Sequence, residues 1–240
     1  MIGPGPMTPA VKAIVYTNVA VFLVTFITQT FLGSSVLFEV FGLRPKAVFT
    51  QFYVWQFATY LFLHGGVTHI LFNMLALWMF GVDLERRWGS KGFVKYYAIT
   101  GVGAGVVTAL VSQLPFAATQ GIYEATTVGA SGAIYGLLMA WALLFPSRQI
   151  LFMFVFPLPA RVAAMLMGAM AFMGATGGGN DSVAEATHLA GFLIGWLYLK
   201  GFSRLRLDFS YWLARWRMER VRRKFNVHKG GKDGWGNTIH

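Results

Sequence analysis

The chain has 240 residues, of which 56% are hydrophobic and only 12% are charged, with a formal net charge of +11. Soluble domains carry about 25% charged residues, so this composition excludes an ordinary soluble protein, and the lack of cysteine excludes disulfides, thiol catalysis and cysteine-based metal sites. Several apolar runs approach or exceed the roughly 18 residues that span a bilayer, and since they lack barrel alternation they predict an all-α, polytopic membrane protein.

Six apolar stretches form the predicted membrane spans. The opening residues lack the basic region of a signal peptide, and the first apolar run ends at Gly33 without a small-residue cleavage site, so we interpret this run as the first span. A long connector, 33–53, follows it, and the short apolar segment 149–157 predicts an interfacial or half-inserted connector. In chain order the spans cover approximately residues 11–32, 67–82, 93–114, 131–145, 160–173 and 188–199.

The distribution of lysine and arginine predicts the orientation. With six spans both termini lie on one side, which then holds 18 of the 20 basic residues, while the other side holds only Arg44 and Lys46. Because short loops rich in Lys and Arg stay in the cytoplasm, both termini are predicted to be cytoplasmic. The loops that begin at Gly33, Pro115 and Gly174 are then expected to face outward.

We interpret residues 1–202 as one six-span domain and residues 203–240 as a basic amphipathic cytoplasmic tail. The tail alternates aromatic and basic residues at helical spacing, and more than half of the lysines and arginines lie from Lys200 onward. This pattern is typical of a helix that binds anionic lipid on the cytoplasmic leaflet. A solvated helix without a specific partner is an equal alternative, and nucleic acid is not an expected partner.

Polar residues occur in the first turns of the second, fourth and sixth predicted spans, all of which begin at the outer side. They are His69 and Asn73, then Ser131 and Tyr135, then His188. Polar groups within a membrane are energetically costly and commonly mark chemistry or a transport pathway. Their matching depth on three parallel helices therefore predicts one functional site.

Ser131, in the string GASG, is the candidate nucleophile. It precedes the end of its span by about 15 residues, which is roughly 22 Å of helix. In a hydrocarbon core about 30 Å thick, the serine therefore lies below the outer surface. We expect a water-filled cavity beside it, because the free amides of the helix start need polar partners. Gly129 and Gly132 permit close backbone approach, and the free amides of the helix start favour negative charge on a tetrahedral oxyanion. Taken alone, small residues here are more often packing devices, a role that Gly132 and Gly136 also fit.

His188 is the candidate general base for Ser131. Gly191 lies on the same helical face and would draw the sixth span against the glycines of the fourth. Glu185 precedes the predicted span, so the sequence predicts a dyad without a third, acidic member. Tyr135 is expected to stack on the imidazole and orient it in place of a carboxylate. A lone histidine at a span end is otherwise an ordinary interfacial residue.

The string HGGVTHILFN carries candidate oxyanion donors. His69 and Asn73 are four residues apart on a helix, so their donors point the same way, and neutral donors suit an oxyanion hole. A metal site is the alternative for His64 and His69, but their five-residue spacing across two glycines is poor for a helical ligand pair, and no cysteine or acidic cluster completes a tetrahedral site. We therefore expect no metal and no cofactor.

Four strings, HGGVTHILFN, ERRWGS, GASGAIYG and HLAGFLIG, occur in this order and at these span ends, and they closely resemble the rhomboid family of intramembrane serine proteases. The resemblance covers about residues 11–202. It implies a six-transmembrane-helix bundle of rhomboid type, in the simple bacterial form. The implied site has Ser131 and His188 as the dyad, the Ser131 amide, His69 and Asn73 as the oxyanion hole, and His64 as support through a water network.

The resemblance also implies roles for residues outside the reaction. Glu85 would tie the cytoplasmic end of the second span, and Tyr135 would pack against the catalytic histidine. The family typically has a Trp-Arg pair in the outer connector, where this chain has Trp55 and Gln56. That departure bears on the stability of the connector and on its lipid contacts, while the chemistry is expected to survive.

The implied function is a serine endopeptidase that cleaves single-span transmembrane proteins near the outer membrane face, in a bacterial inner membrane. The substrate helix is expected to enter between the second and fifth spans and to unwind near small or helix-breaking residues. The alternative is a catalytically inactive rhomboid-like chaperone or scaffold, although such relatives usually lack the serine or the histidine. A small-solute transporter would require intramembrane charge and paired broken helices, which the sequence lacks.

Overall fold

The computed structural model describes residues 5–115, 117–152, 155–176 and 182–201, together with Trp216 and Met218. The chain divides after Leu197 into two units, and the helices and strands that form the site lie in the first. The predicted lipid-binding tail falls outside the described residues except at Trp216 and Met218, so both its lipid contact and the domain boundary at 202 stay predictions.

Helices dominate the described residues, as predicted. The elements are α1 (Pro9–Leu32), α2 (Val36–Phe41), α3 (Pro45–Gln51), α4 (Gln56–Thr59) with a 3₁₀ turn at Tyr60–Phe62, α5 (Val67–Val111), α6 (Ala117–Glu124), α7 (Ser131–Leu144), β1 (Gln149–Phe152), β2 (Phe156–Pro159), α8 (Ala160–Thr176), α9 (Ser182–Trp196) and a π-helical turn at Leu197–Gly201.

Among the described residues, α1 and α5 are both long enough and apolar enough to cross a membrane. Helix α5 is interrupted at Gly89, whose φ of 71° and ψ of 163° are not helical, and the segments on either side correspond to the second and third predicted spans. Helices α7 and α8 are apolar but shorter, with 14 and 17 residues. The predominance of helix is therefore confirmed, whereas a bundle of six spans stays a prediction.

The segment predicted as an interfacial connector forms a short hairpin. Strand β1 pairs with β2 in antiparallel register, with Gln149 opposite Pro159 and Ile150 opposite Leu158. Ile150 is buried. Hydropathy alone did not distinguish this hairpin from an irregular connector, because the segment is too short to show an alternating pattern.

Three helices form the centre of the bundle, since α5, α7 and α9 pack on one another, with α8 on α9 and α1 on α5. A Cβ atom at position 191 would lie 2.0 Å from the carbonyl oxygen of Gly132, so the backbones of α9 and α7 meet there. Farther along, a Cβ at position 195 would lie 2.7 Å from the Tyr96 hydroxyl, which donates a hydrogen bond to the Gly136 carbonyl at 2.7 Å. Small residues permit such close approach, and the contact fixes the register of α9 on α7.

Glu85 joins the start of α1 to α5. Its buried carboxylate accepts hydrogen bonds from the backbone amides of Ala10 and Val11, both at 2.9 Å, and from the hydroxyl of Ser90 at 2.6 Å. It also accepts one from the hydroxyl of Thr8. The first amides of a helix have no partners within the helix, and the Glu85 carboxylate accepts from two of these amides of α1. The contact lies close to the interruption of α5 at Gly89.

Gln56 organises the outer connector. Its side chain is fully buried, and its oxygen accepts from the Arg44 amide at 3.0 Å while its nitrogen donates to the carbonyls of Glu39 at 3.1 Å and Val40 at 3.2 Å. The indole of Trp55 also donates to the Val40 carbonyl, at 2.8 Å. The glutamine thus satisfies three backbone groups of the connector, at the position where the resemblance implies an arginine.

Candidate active site

A cavity of about 690 Å³ opens among α5, α7, α8, α9 and β1. Most of its lining is apolar, with side chains from α5, α8 and the hairpin. The polar lining comes from the helices of the three predicted clusters and includes His69, Asn73, Ser131, Tyr135, Glu185 and His188. The structure therefore brings both members of the predicted dyad and both predicted oxyanion donors to one cavity, together with a carboxylate.

Ser131 is the first residue of α7. Gly129, two residues earlier, has a φ of 120°, a value that side-chain-bearing residues rarely adopt. A Cβ atom at that position would lie 2.7 Å from Nε2 of His69 and 3.7 Å from Nδ2 of Asn73. Glycine is therefore required both by the backbone conformation and by the His69 ring that packs against it, directly before the helix amides that follow Ser131.

Hydrogen bonds around His69 indicate which ring nitrogen carries its proton. The amide of Gly65 donates to Nδ1 of His69 at 3.4 Å, so in the neutral ring the proton lies on Nε2, the nitrogen that faces Gly129. The Asn73 amide donates one hydrogen to the His69 carbonyl at 3.0 Å, which leaves its second hydrogen for another acceptor. Two neutral donors thus converge beside the start of α7.

The imidazole of His188 lies against an aromatic side chain of α7. Its ring stacks on Tyr135 with 4.2 Å between the centroids and 5° between the planes. Phe192 contacts the tyrosine ring edge-on, at 5.1 Å and 85°. These contacts restrict the plane of the imidazole, because a parallel stack is lost when either ring tilts.

Ser131 and His188 each lie within one helical turn of the contact between α7 and α9. Ser131 directly precedes Gly132, and His188 lies three residues before Gly191, so the glycine contact between α7 and α9 aligns them. Within the described part of the chain, no hydrogen bond joins the Ser131 hydroxyl to the imidazole. Catalytic hydrogen bonds are often long in unliganded sites and tighten when the substrate binds.

Glu185 is the site residue that the sequence prediction missed. We expected α9 to begin at His188, but the helix begins at Ser182, so Glu185 lies one turn before the histidine. Its Oε2 is 3.0 Å from Nδ1 of His188. The expectation that no acidic group stands near the imidazole is therefore wrong, because the apolar run that marked the span omits the first turns of the helix. The spacing Ser-x-x-Glu over 182–185 is a helix-start pattern that would have revealed them.

His64 lies outside the main cavity, in the connector before α5. It is 1% exposed, and its ring contacts that of His69 edge-on, with 5.1 Å between the centroids. Burial, and then the neighbouring His69, lower the pKa of His64 from 6.5 to about 4. His64 therefore supports His69 as a neutral ring. Among the described residues, no group of three or more His, Asp or Glu side chains is arranged to hold a metal ion.

Comparison with known proteins identifies the family. The family model of the Rhomboid domain matches residues 51–205. Similar proteins include RHOMBOID-like protein 2 of Arabidopsis thaliana, 26% identical over 206 residues, which cover 82% of this chain and 57% of that protein. Rhomboid protease GluP of Bacillus subtilis is 32% identical over 128 residues, covering 52% and 23%, and the mitochondrial Rhomboid protein 1 of Saccharomyces cerevisiae is 33% identical over 138 residues, covering 57% and 38%.

The chain spans 57%, 23% and 38% of the length of these three relatives. The family match itself extends from the outer connector to nine residues beyond the end of α9 and includes each residue of the candidate site. Because this match covers more than half of the chain, the protein belongs to the rhomboid family of integral membrane proteins.

Proposed function

We propose that this chain is an intramembrane serine endopeptidase. The observation that supports it best is the shared cavity, in which the serine at the start of α7, the histidine of α9 and the two donors of α5 all line one space. A nucleophile, a base and neutral donors are the groups that acyl transfer requires. The family resemblance of the four motif strings supports the same assignment.

In the proposed reaction, Ser131 Oγ attacks the carbonyl carbon of the scissile peptide while its proton passes to Nε2 of His188. The oxygen of the tetrahedral intermediate takes the negative charge and accepts hydrogen bonds from the Ser131 amide, His69 and Asn73. The C–N bond then breaks and His188 returns the proton to the leaving amine. A water molecule attacks the acyl ester by the same route, with His188 again as base and then acid, and frees the serine.

The apolar side of the cavity supports a transmembrane helix as the substrate. Side chains of α5, among them Phe72 and Met79, face side chains of α8, among them Met167 and Met170. The segment of α5 before Gly89 corresponds to the second predicted span, and α8 corresponds to the fifth. Methionine is flexible and adapts to different apolar partners, which suits a site that accepts varied helices. We propose that a single-span protein approaches the serine between α5 and α8 and is cut near the outer face.

The proposed membrane arrangement has six spans, formed by α1, the two segments of α5, α7, α8 and α9. The basic residues favour cytoplasmic termini, and the tail, 203–240, is proposed to lie on anionic lipid. The six-span form favours a bacterial inner membrane. Residues 1–202 are proposed as the protease domain.

One observation favours the second candidate, a catalytically inactive chaperone or scaffold. In the described residues no hydrogen bond joins the Ser131 hydroxyl to His188, and a scaffold does not need this bond. The scaffold function predicts that transmembrane proteins bind between α5 and α8 without being cleaved.

The two functions are separated by offering a fluorescent transmembrane substrate to the purified full-length chain in detergent. We expect cleavage by the wild type and by Ser147→Ala, which removes an exposed serine after the other end of α7, and none by Ser131→Ala. Cleavage by the Ser131→Ala variant would overturn the assignment of the nucleophile. Binding of the substrate without cleavage by the wild type would establish the scaffold function.

A further inference from the structure

The carboxylate of Glu185 contacts the nitrogen of His188 that does not act as the base in the proposed reaction. The distance from Oε2 to Nδ1 is 3.0 Å, and the two side chains are 26% and 15% exposed, so the pair is largely shielded from solvent. Both residues lie on α9, one turn apart, so the helix itself places the two side chains within reach of each other.

This contact determines which nitrogen of His188 carries the proton. An ionised carboxylate only accepts hydrogen bonds, so the proton shared with Glu185 belongs to Nδ1, and Nε2 keeps the lone pair that a base needs. The stack on Tyr135 holds the plane of the ring but is the same for either tautomer. The aromatic contact and the carboxylate therefore make different contributions to the same imidazole.

Packing against α8 holds the Glu185 side chain in this position. A Cβ atom at Gly174 would lie 2.6 Å from Cγ of Glu185 and 3.3 Å from its Cδ. The glycine thus provides the space through which the glutamate reaches its partner. A glutamate in the first turn of a helix is also favourable for the helix dipole, but that role alone requires neither the contact with His188 nor a position in the cavity wall.

Other charged groups near α9 do not provide an equivalent contact. Of the described residues that line the cavity, Glu185 is the only acid. Helix α5 contributes His69 and α7 contributes Tyr135. The one titratable residue of α8 is Arg161, in its first turn, and Glu124 of α6 is bound to two basic residues of the connector.

We infer that Glu185 is a positioning residue, which accepts a hydrogen bond from Nδ1–H of His188, holds Nε2 as the base for Ser131, and stabilises the imidazolium that forms during attack. The site is then a Ser-His-Glu triad rather than a dyad. This inference rests on the proposed protease function for its kinetic consequence, while the tautomer of His188 can be measured without any turnover.

The kinetic test compares Glu185→Gln and Glu185→Asp with Glu39→Gln, a control at an exposed acid of α2. Glutamine keeps the shape of the side chain but presents an amide group that can donate to Nδ1 and favour the wrong tautomer. We expect kcat for the fluorescent substrate to fall about 10- to 100-fold in Glu185→Gln with KM unchanged, and aspartate to recover part of the loss. A kcat within about twofold of the wild type would overturn the inference.

The second test is nitrogen NMR of the full chain with isotope-labelled histidine, the His188 signals being identified by their loss in His188→Asn. We expect a protonated Nδ1 in the wild type and a mixture of tautomers in Glu185→Gln. Gly174 does not line the cavity, but the methyl group added in Gly174→Ala displaces the Glu185 side chain. We expect this variant to give the same mixture of tautomers. An unchanged tautomer in both variants would overturn the inference. Absence of cleavage by the wild type would instead overturn the proposed function. The NMR result would then still decide whether Glu185 sets the tautomer of His188.

Discussion

The rings of Tyr135 and His188 lie parallel, with 4.2 Å between their centroids and 5° between their planes. Tyr135 is four residues after Ser131 on α7, so the helix that carries the candidate nucleophile also carries the surface on which the candidate base rests. This relationship couples the position of the serine to the orientation of the imidazole through one rigid helix turn.

Loss of the tyrosine ring is therefore expected to impair the reaction more than loss of its hydroxyl. Tyr135→Leu removes the stacking surface, and we expect kcat to fall about 10- to 100-fold because the imidazole is free to tilt away from the serine. Tyr135→Phe keeps the ring and should reduce kcat only about two- to threefold. Cleavage of the fluorescent substrate measures both. Equal losses in the two variants would show that the hydroxyl, and not the stack, is the important feature.

The glycine contact between α7 and α9 gives a prediction for stability. Gly191→Ala would bring a methyl group 2.0 Å from the Gly132 carbonyl oxygen, so the helices must separate. We expect the free energy of unfolding to fall by about 1–3 kcal/mol and cleavage to decrease with it. Thermal unfolding in detergent measures the first effect.

Gly168→Ala is the matched control for this prediction. A Cβ at Gly168 would meet the ring of Phe192 at 3.7 Å, an ordinary contact distance, and alanine is the better helix former. We expect this variant to be at least as stable as the wild type. Equal thermal stability of the alanine variants at 191 and 168 would contradict the close helix contact.

The carboxylate of Glu85 is expected to hold the first turn of α1. In Glu85→Gln the side-chain amide cannot accept from every donor that the carboxylate now satisfies, and we expect a loss of about 1–3 kcal/mol in the free energy of unfolding. The amides of Ala10 and Val11 should also exchange hydrogen faster. Glu39→Gln, at an exposed position where the carboxylate accepts one hydroxyl bond from Ser35, serves as the control and should change stability by less than about 0.5 kcal/mol.

Burial of His64 predicts a dependence of stability on pH. Its folded-state pKa is about 4, and its ordinary value is 6.5, so between these values the unfolded chain binds a proton that the folded chain does not. Stability contributed by the neutral ring is complete above pH 6.5 and is lost as the pH falls toward 4, to a total of about 3 kcal/mol. His64→Phe removes this dependence. Unfolding temperatures measured from pH 7 to pH 4 should therefore decline less steeply in the variant, and parallel curves would contradict the prediction.

The motif residues were predictable from the sequence because their spacing carries three-dimensional information. Helical periodicity places His69 beside Asn73, and glycines four residues apart predict a close contact between two helices. The start of α9 was not predictable from hydropathy, because the turn that contains Glu185 is polar and lies before the apolar run that marked the span. The role of Gln56 was also hidden, because its partners are backbone groups of a connector that has no periodic pattern.

The reactivity of Ser131 toward a fluorophosphonate provides the most direct test of the proposed protease. We expect intact-protein mass spectrometry of the folded, full-length chain to show one adduct, mapped to the peptide that contains Ser131, and a much slower reaction in His188→Asn. The exposed Ser147 should remain unmodified. A wild-type protein that is folded and remains unlabelled at Ser131, or that labels equally fast without the imidazole, would contradict a serine activated by His188.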